Sequence, residues 1–132
     1  MNASFQDLSV LLIEPSAVQA RIISDLLAGV DVTRIEVVDS GEAALTLMRG
    51  DAPALTISAF YLPDMTGVDL LHRMRADEAL VNRPFVLVSS ETRPQILDPV
   101  RQSGACAILP KPFSSTQLAT ALRAVSDYLN PQ

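Results

Sequence analysis

Five short apolar runs alternate along this chain with longer segments whose apolar residues recur at helical spacing. Ser9-Val-Leu-Leu-Ile-Glu14 is apolar almost throughout, the pattern of a parallel strand covered on both faces. Arg34–Val38, Ala54–Phe60, Phe85–Ser89 and Ala107–Leu109 predict four more strands. Strands that alternate with helices specify a parallel sheet with helices on both faces. Right-handed crossovers then favour a doubly wound domain with strand order 2-1-3-4-5, a three-layer α/β sandwich.

The intervening segments carry helix signals. Ser16 reads as an N-cap with Gln19 three residues on, a capping-box spacing. Val18, Ile22, Ile23, Leu26 and Leu27 follow helical spacing, and Gly29 suits the position just past the helix end. Asp39 with Glu42 opens a second helix that carries Ala44, Leu45 and Met48 and ends at Gly50. The loop Tyr61-Leu-Pro-Asp-Met-Thr66 leads into a third, with Val68, Leu70, Leu71 and Met74 on its apolar side. Ser115 or Ser114 caps the last, in which Leu118, Leu122, Val125 and Leu129 recur. Prolines 94 and 99 disturb the segment after the fourth strand. Proline inside a helix removes a donor and clashes with the preceding turn, at about 3 kcal/mol. Asp98 as N-cap with Pro99 as first helical residue avoids that cost, and predicts a short helix ending before Gly104.

A chain of 132 residues, 48% of them hydrophobic, can bury one full core, so a single domain over 1–132 is expected, with its core at about 8–129. Asn2, Ser4 and Gln6 read as a frayed tail. No apolar run is long enough to span a membrane, and no basic stretch followed by an apolar core opens the chain. The net charge of −5 argues against nucleic acid as a partner. One cysteine, Cys106, excludes an internal disulfide and a thiolate cluster; a small apolar core role and a reducing cytoplasm are the simple readings. One histidine, His72, leaves little for acid–base or metal chemistry and reads as a solvated helix residue.

In doubly wound sheets, sites form at the carboxyl ends of the strands. That rule selects Glu14 and Pro15, then Ala59 to Tyr61, then Ser89 and Ser90, then Lys111. The first loop, Glu14-Pro-Ser-Ala17, has no glycine-rich phosphate cradle, which argues against a nucleotide or flavin.

At these residues the chain resembles a response regulator receiver domain of bacterial two-component signalling, a CheY-like, flavodoxin-like fold. The resemblance is carried by Leu12-Ile-Glu14, Asp39-Ser-Gly-Glu-Ala-Ala44, Leu62-Pro-Asp-Met-Thr-Gly67, Val86-Leu-Val-Ser89, Ser103-Gly-Ala105 and Leu109-Pro-Lys-Pro-Phe113. It runs from about Leu8 to Leu129.

The resemblance implies a phosphoacceptor aspartate at the end of the third strand, where this chain has Ala59. It implies a pair of acidic residues for Mg²⁺ at the end of the first strand, where this chain has Glu14 followed by Pro15. Ser89 matches the hydroxyl that binds the phosphoryl group, and Lys111 the lysine that contacts its oxygens. Lys111-Pro112 matches a bond usually cis in the family, and Ile108 replaces the switch aromatic. The resemblance therefore implies an atypical receiver with a dismantled reaction centre, no bound metal or cofactor, and no enzymatic activity. Such a module binds a protein partner without phosphorylation, or dimerises through the family's fourth helix, fifth strand and fifth helix. Without an aspartate at 59, Glu14 is the expected partner of the Lys111 ammonium. The alternative is phosphorylation at a substitute residue, Ser58 or Asp64. Ser58 is expected to point away from Ala59, and Asp64 to serve the turn. Tyr61 reads equally as a partner contact and as a packed loop aromatic.

Overall fold

The computed structural model describes residues 7–130. The tail expected at residues 1–6 lies outside them. Five parallel strands run in the order β2-β1-β3-β4-β5, as the sequence predicts. They are β1 (Ser9–Ile13), β2 (Arg34–Val38), β3 (Leu55–Ala59), β4 (Phe85–Ser89) and β5 (Ala107–Pro110). The helices are α1 (Ala17–Ala28), α2 (Gly41–Gly50), α3 (Gly67–Arg75), α4 (Pro94–Gln102) and α5 (Ser115–Leu129).

Strand alternation sorts the core into two layers. Val10, Leu12, Leu55, Ile57, Val86 and Val88 face α1 and α5, where they meet Ile23, Leu27, Leu118 and Leu122. Leu11, Ile13, Phe85 and Leu87 face α2, α3 and α4, where they meet Leu45, Met48, Leu70, Met74 and Val100. The central strands β3 and β4 are buried at every residue; β4 is accordingly apolar as far as Val88, while β3 buries the hydroxyls of Thr56 and Ser58.

Several local expectations need correction. The N-cap of α2 is Ser40, whose side chain accepts from the Ala43 N–H; Asp39 stands outside the helix. Gly29 ends α1 in right-handed geometry (φ −66°) and provides no left-handed turn. Of the two candidates for the cap of α5, Ser114 fills the place, in a full capping box with Gln117. Glu14 follows β1 instead of ending it, and β3 is one residue shorter at each end than expected. Two apolar positions of the α1 pattern are surface: Val18 is 68% exposed and Ile22 47%.

The fourth helix differs most. It runs without interruption from Pro94 to Gln102, with Pro94 in its first turn and Pro99 inside it. Asp98 is therefore a mid-helix residue that pairs with Arg101 at 3.2 Å, not an N-cap. Starting at Pro94 costs nothing, because a first-turn N–H has no helical partner. The later proline is tolerated because this register buries Leu97 and Val100 in the core beneath the sheet. The expected end is kept: the helix stops before Gly104, whose φ of +95° turns the chain back toward β5.

Candidate functional site

Register brings the selected residues to one edge of the molecule. Ile13 pairs with Ser58, Ala59 with Val88, and Ser89 with Pro110. Glu14, Ala59, Ser89 and Lys111 are thus the next steps up at the carboxyl ends of β1, β3, β4 and β5. Lys111 is fixed in place by its N–H, which donates to the Ser89 carbonyl at 2.9 Å. Lys111-Pro112 is the one cis peptide bond among the described residues.

Glu14 is buried, and each of its carboxylate oxygens has a partner. Oε1 takes the Lys111 ammonium at 3.1 Å, and Oε2 accepts from the Ser16 N–H at 2.9 Å. The expected Glu14–Lys111 pair is therefore present. Pro15 is exposed in the loop that follows and offers no side-chain oxygen. Ala59 is 5% exposed, a methyl group at the end of β3. Gly67, the first residue of α3, packs hard on this strand end. A Cβ there would stand 2.6 Å from the Ala59 carbonyl oxygen.

Ser89 is buried, and its hydroxyl accepts from the Glu91 N–H at 2.8 Å. Beyond it, the Glu91 carboxylate takes the Arg93 guanidinium at 2.7 and 2.9 Å and the Arg93 N–H at 3.1 Å. The Arg93 side chain and backbone donors hold the Glu91 carboxyl far below the usual range, at about 2. This clamp fastens the β4–α4 loop beside the site. Ile108 is partly buried against the layer under α2, α3 and α4.

The two candidate substitute residues lie elsewhere. Ser58 is fully buried on the opposite side of β3 from Ala59, with its hydroxyl donating to the Ala59 carbonyl at 2.9 Å. Asp64 stands in the turn expected of it, inside the bend closed by the Leu62 N–H and the Met65 carbonyl, but its carboxylate reaches out of that turn. Its two carboxylate oxygens each accept at 2.9 Å, from the N–H groups of Gly41 and Glu42 at the start of α2. Those backbone donors lower its pKa. Tyr61 is 67% exposed and leans on Phe60, with ring centroids 4.8 Å apart.

His72 is exposed, as expected, and its Nε2 is 2.8 Å from the Ser103 hydroxyl. Arg73, near the end of α3, reaches Glu42 on α2. Cys106 is half-buried against the α1 and α5 layer, and burial raises its pKa. Arg75, whose place near the end of α3 suggests only a cation complementing the helix dipole, does more than that. Its guanidinium donates to the carbonyls of Val81, Arg83, Ser103 and Gly104, tying α3 to the loops before β4 and β5. Nothing local in the sequence marks this clamp. The Glu91-x-Arg93 spacing, by contrast, was open to reading as a local ion pair.

Comparison with known proteins fixes the family. The family model of the response regulator receiver domain matches residues 10–123. The chain belongs to the response regulator receiver domain family. A receiver-sized relative, the chemotaxis protein CheY of Pseudomonas aeruginosa, is 27% identical over 123 residues, covering 93% of this chain and 99% of CheY. CheY-3 of Vibrio cholerae is 24% identical over 124 residues, covering 94% and 95%. Among solved structures, the receiver domain of a signal transduction histidine kinase from Syntrophus aciditrophicus superposes with a TM-score of 0.82 at 24% identity, covering 95% of each chain. CheY4 of Vibrio cholerae superposes at 0.80, also at 24% identity, covering 89% and 98%.

Membership of this family implies Mg²⁺ at these strand ends. Mg²⁺ wants near-octahedral oxygen ligands and leans on carboxylates to offset its dehydration. At the ends of β1, β3, β4 and β5 this receiver offers one carboxylate, Glu14, with both oxygens already bonded, and the nearby Asp39 follows β2. Among the described residues, no three His, Cys, Asp or Glu side chains stand together where they could hold an ion. The residues present do not fit the metal.

Proposed function

We propose that this receiver is an atypical one that acts through protein contact and does not depend on aspartyl phosphorylation. The observation that carries the reading is the end of β3. Ala59 stands in the acceptor's place, and the lysine that elsewhere meets phosphoryl oxygens is paired with Glu14 at 3.1 Å. A methyl group cannot attack phosphorus. An ammonium already neutralised by a carboxylate gives little help to a developing negative charge. In this reading the chain catalyses no reaction and takes no cofactor.

The same placement weighs against the substitute acceptors. Ser58 is sealed beneath the sheet face, and Asp64 is spent on the start of α2. Receivers bind proteins such as kinases or output domains, and a protein partner is the counterpart proposed here. A homodimer through α4, β5 and α5 has thin support, because the large apolar side chains exposed there are Tyr128 and Leu129, at the far end of α5. A cytoplasmic setting belongs to the same reading and is supported by the lone thiol, Cys106.

The test is incubation with acetyl phosphate and Mg²⁺, followed by intact mass. An unchanged mass is expected. A stoichiometric gain of one phosphate overturns the reading.

A further inference from the structure

We propose that the outer face of α1 is a self-complementary surface through which two copies of this chain pair antiparallel. This goes beyond the functional reading above and does not rest on it, since it needs nothing from residue 59.

Val18 and Ile22 are 68% and 47% exposed, although the helix they belong to is anchored by Ile23 and Leu27. At about 100° per residue, Val18 and Ile22 lie within about 40° of each other and form one outward stripe. On one flank of the stripe the surface opens into a groove of about 470 Å³ lined by Ile22, Leu26, Pro112 and Phe113 together with the polar Gln19 and Lys111. On the other flank stand Arg21 and Asp25, side chains 79% and 66% exposed, 3.2 Å apart along the helix. Solvent-facing helix positions next to an apolar groove are costly to leave bare, and contiguous apolar surface with a polar rim marks a contact site.

The charges select the occupant. A two-fold axis at the level of Ile23 runs the second α1 antiparallel to the first. Arg21 of each copy then comes level with Asp25 of the other, so two opposite-charge pairs form on one rim. Ile22 lies one residue from the axis, so the two Ile22 side chains meet at the centre and the two grooves merge on the far flank. A two-fold contact requires just this self-complementarity, with residue i meeting j and j meeting i. A parallel two-fold pairing would instead lay the charged rim of each copy against the groove flank of the other and pair neither charge. One helix face and one loop make a small interface, under about 1,200 Å² in total, the class of weak and transient pairs.

Sedimentation velocity of the full chain from about 10 μM to about 1 mM covers that range of affinity. The expected result is a concentration-dependent monomer–dimer equilibrium. Ile22→Asp abolishes it, and Arg21→Asp or Asp25→Arg alone each weakens it about tenfold by placing like charges face to face. An equimolar mixture of Arg21→Asp with Asp25→Arg pairs again, because one copy then brings two acids and the other two bases. All three positions are exposed, and an unchanged thermal melt of each variant confirms its fold. A wild-type chain that stays monomeric throughout overturns the proposal and leaves the stripe to a different protein. So does a dimer that survives Ile22→Asp, or a mixture no tighter than either charge variant alone.

Discussion

Lys111 and Glu14 are 97 residues apart in sequence, yet Nζ and Oε1 meet at 3.1 Å. Glu14 follows β1 and Lys111 follows β5, and in the sheet β3 and β4 lie between those strands. The pair therefore closes over the carboxyl ends of the two central strands, a span of roughly three strand spacings of about 4.8 Å each. Only two long side chains reaching toward each other cover it. The Glu14 side chain is 5% exposed and that of Lys111 29%, so the carboxylate depends on its partner more than the ammonium does.

That asymmetry sets the first prediction. Lys111→Met leaves a buried carboxylate with the Ser16 N–H alone and lowers stability by about 1–3 kcal/mol. Adding Glu14→Gln removes the stranded charge, so the double variant loses less than the sum of the single losses. Urea denaturation of the four chains measures both.

Rebuilding the centre is the second. The unmodified receiver is expected to show no saturable NMR shifts around Ser89 and Lys111 with Mg²⁺ and beryllofluoride. Pro15→Asp with Ala59→Asp returns two carboxylates, draws Lys111 away from Glu14, and makes the shifts saturable. Saturation in the unmodified chain at millimolar Mg²⁺ means that the site still works.

The third concerns Asp64. Removing its carboxylate with Asp64→Ala strands the N–H groups of Gly41 and Glu42 at the start of α2. A lost helix cap costs about 1 kcal/mol, and hydrogen exchange at those two amides should quicken with it. Asp64→Ser keeps one acceptor and is expected to lie between.

The β4–α4 loop carries a pH signature, which is the fourth. The Glu91 carboxyl falls from an ordinary value of 4.5 to about 2 on folding, chiefly through its hydrogen bonds to Arg93. A depressed carboxylate stabilises the fold fully above the unfolded value and loses that contribution as pH falls through the folded one. The clamp is thus intact at neutral pH, and its contribution to stability is lost between about 4.5 and 2. Carboxyl ¹³C titration should give a midpoint near 2, moved up toward the ordinary value by Arg93→Gln.

Pro99 supplies the last. It sits inside α4 without an N–H to donate and is exposed. Pro99→Ala restores the missing helical bond. The gain is offset in part by a freer unfolded chain, leaving about 1–2 kcal/mol of added stability in thermal or urea melts.

The short, late α4 expected from the sequence failed because a local signal was set against a non-local one. Proline chemistry near Asp98 and Pro99 is local, and it favoured a late helix start. Burial of Leu97 and Val100 is not local, and it outweighed the lost donor. The α1 pattern failed in the other direction. Val18 and Ile22 share the spacing of Ile23 and Leu27, and spacing alone does not say how wide a stripe the sheet will cover.

The sequence by itself determined the five strands and their order, and placed their carboxyl ends to within about one residue. Apolar runs buried on both faces can belong only to a parallel sheet covered by helices, and a two-residue side-chain period leaves no freedom in which face each residue takes. Ala59, Pro15 and the Glu14–Lys111 pair were legible for the same reason, since strand ends are fixed once the strands are. Tertiary structure alone decided where the Asp64 carboxylate and the Arg75 guanidinium went. Their partners lie 22 to 29 residues away for Asp64 on α2 and for Arg75 on the loop before β5. A hydrogen bond is set by position in space to within a fraction of an ångström, and no pattern in the chain records the distance between loops that only the packed sheet brings together.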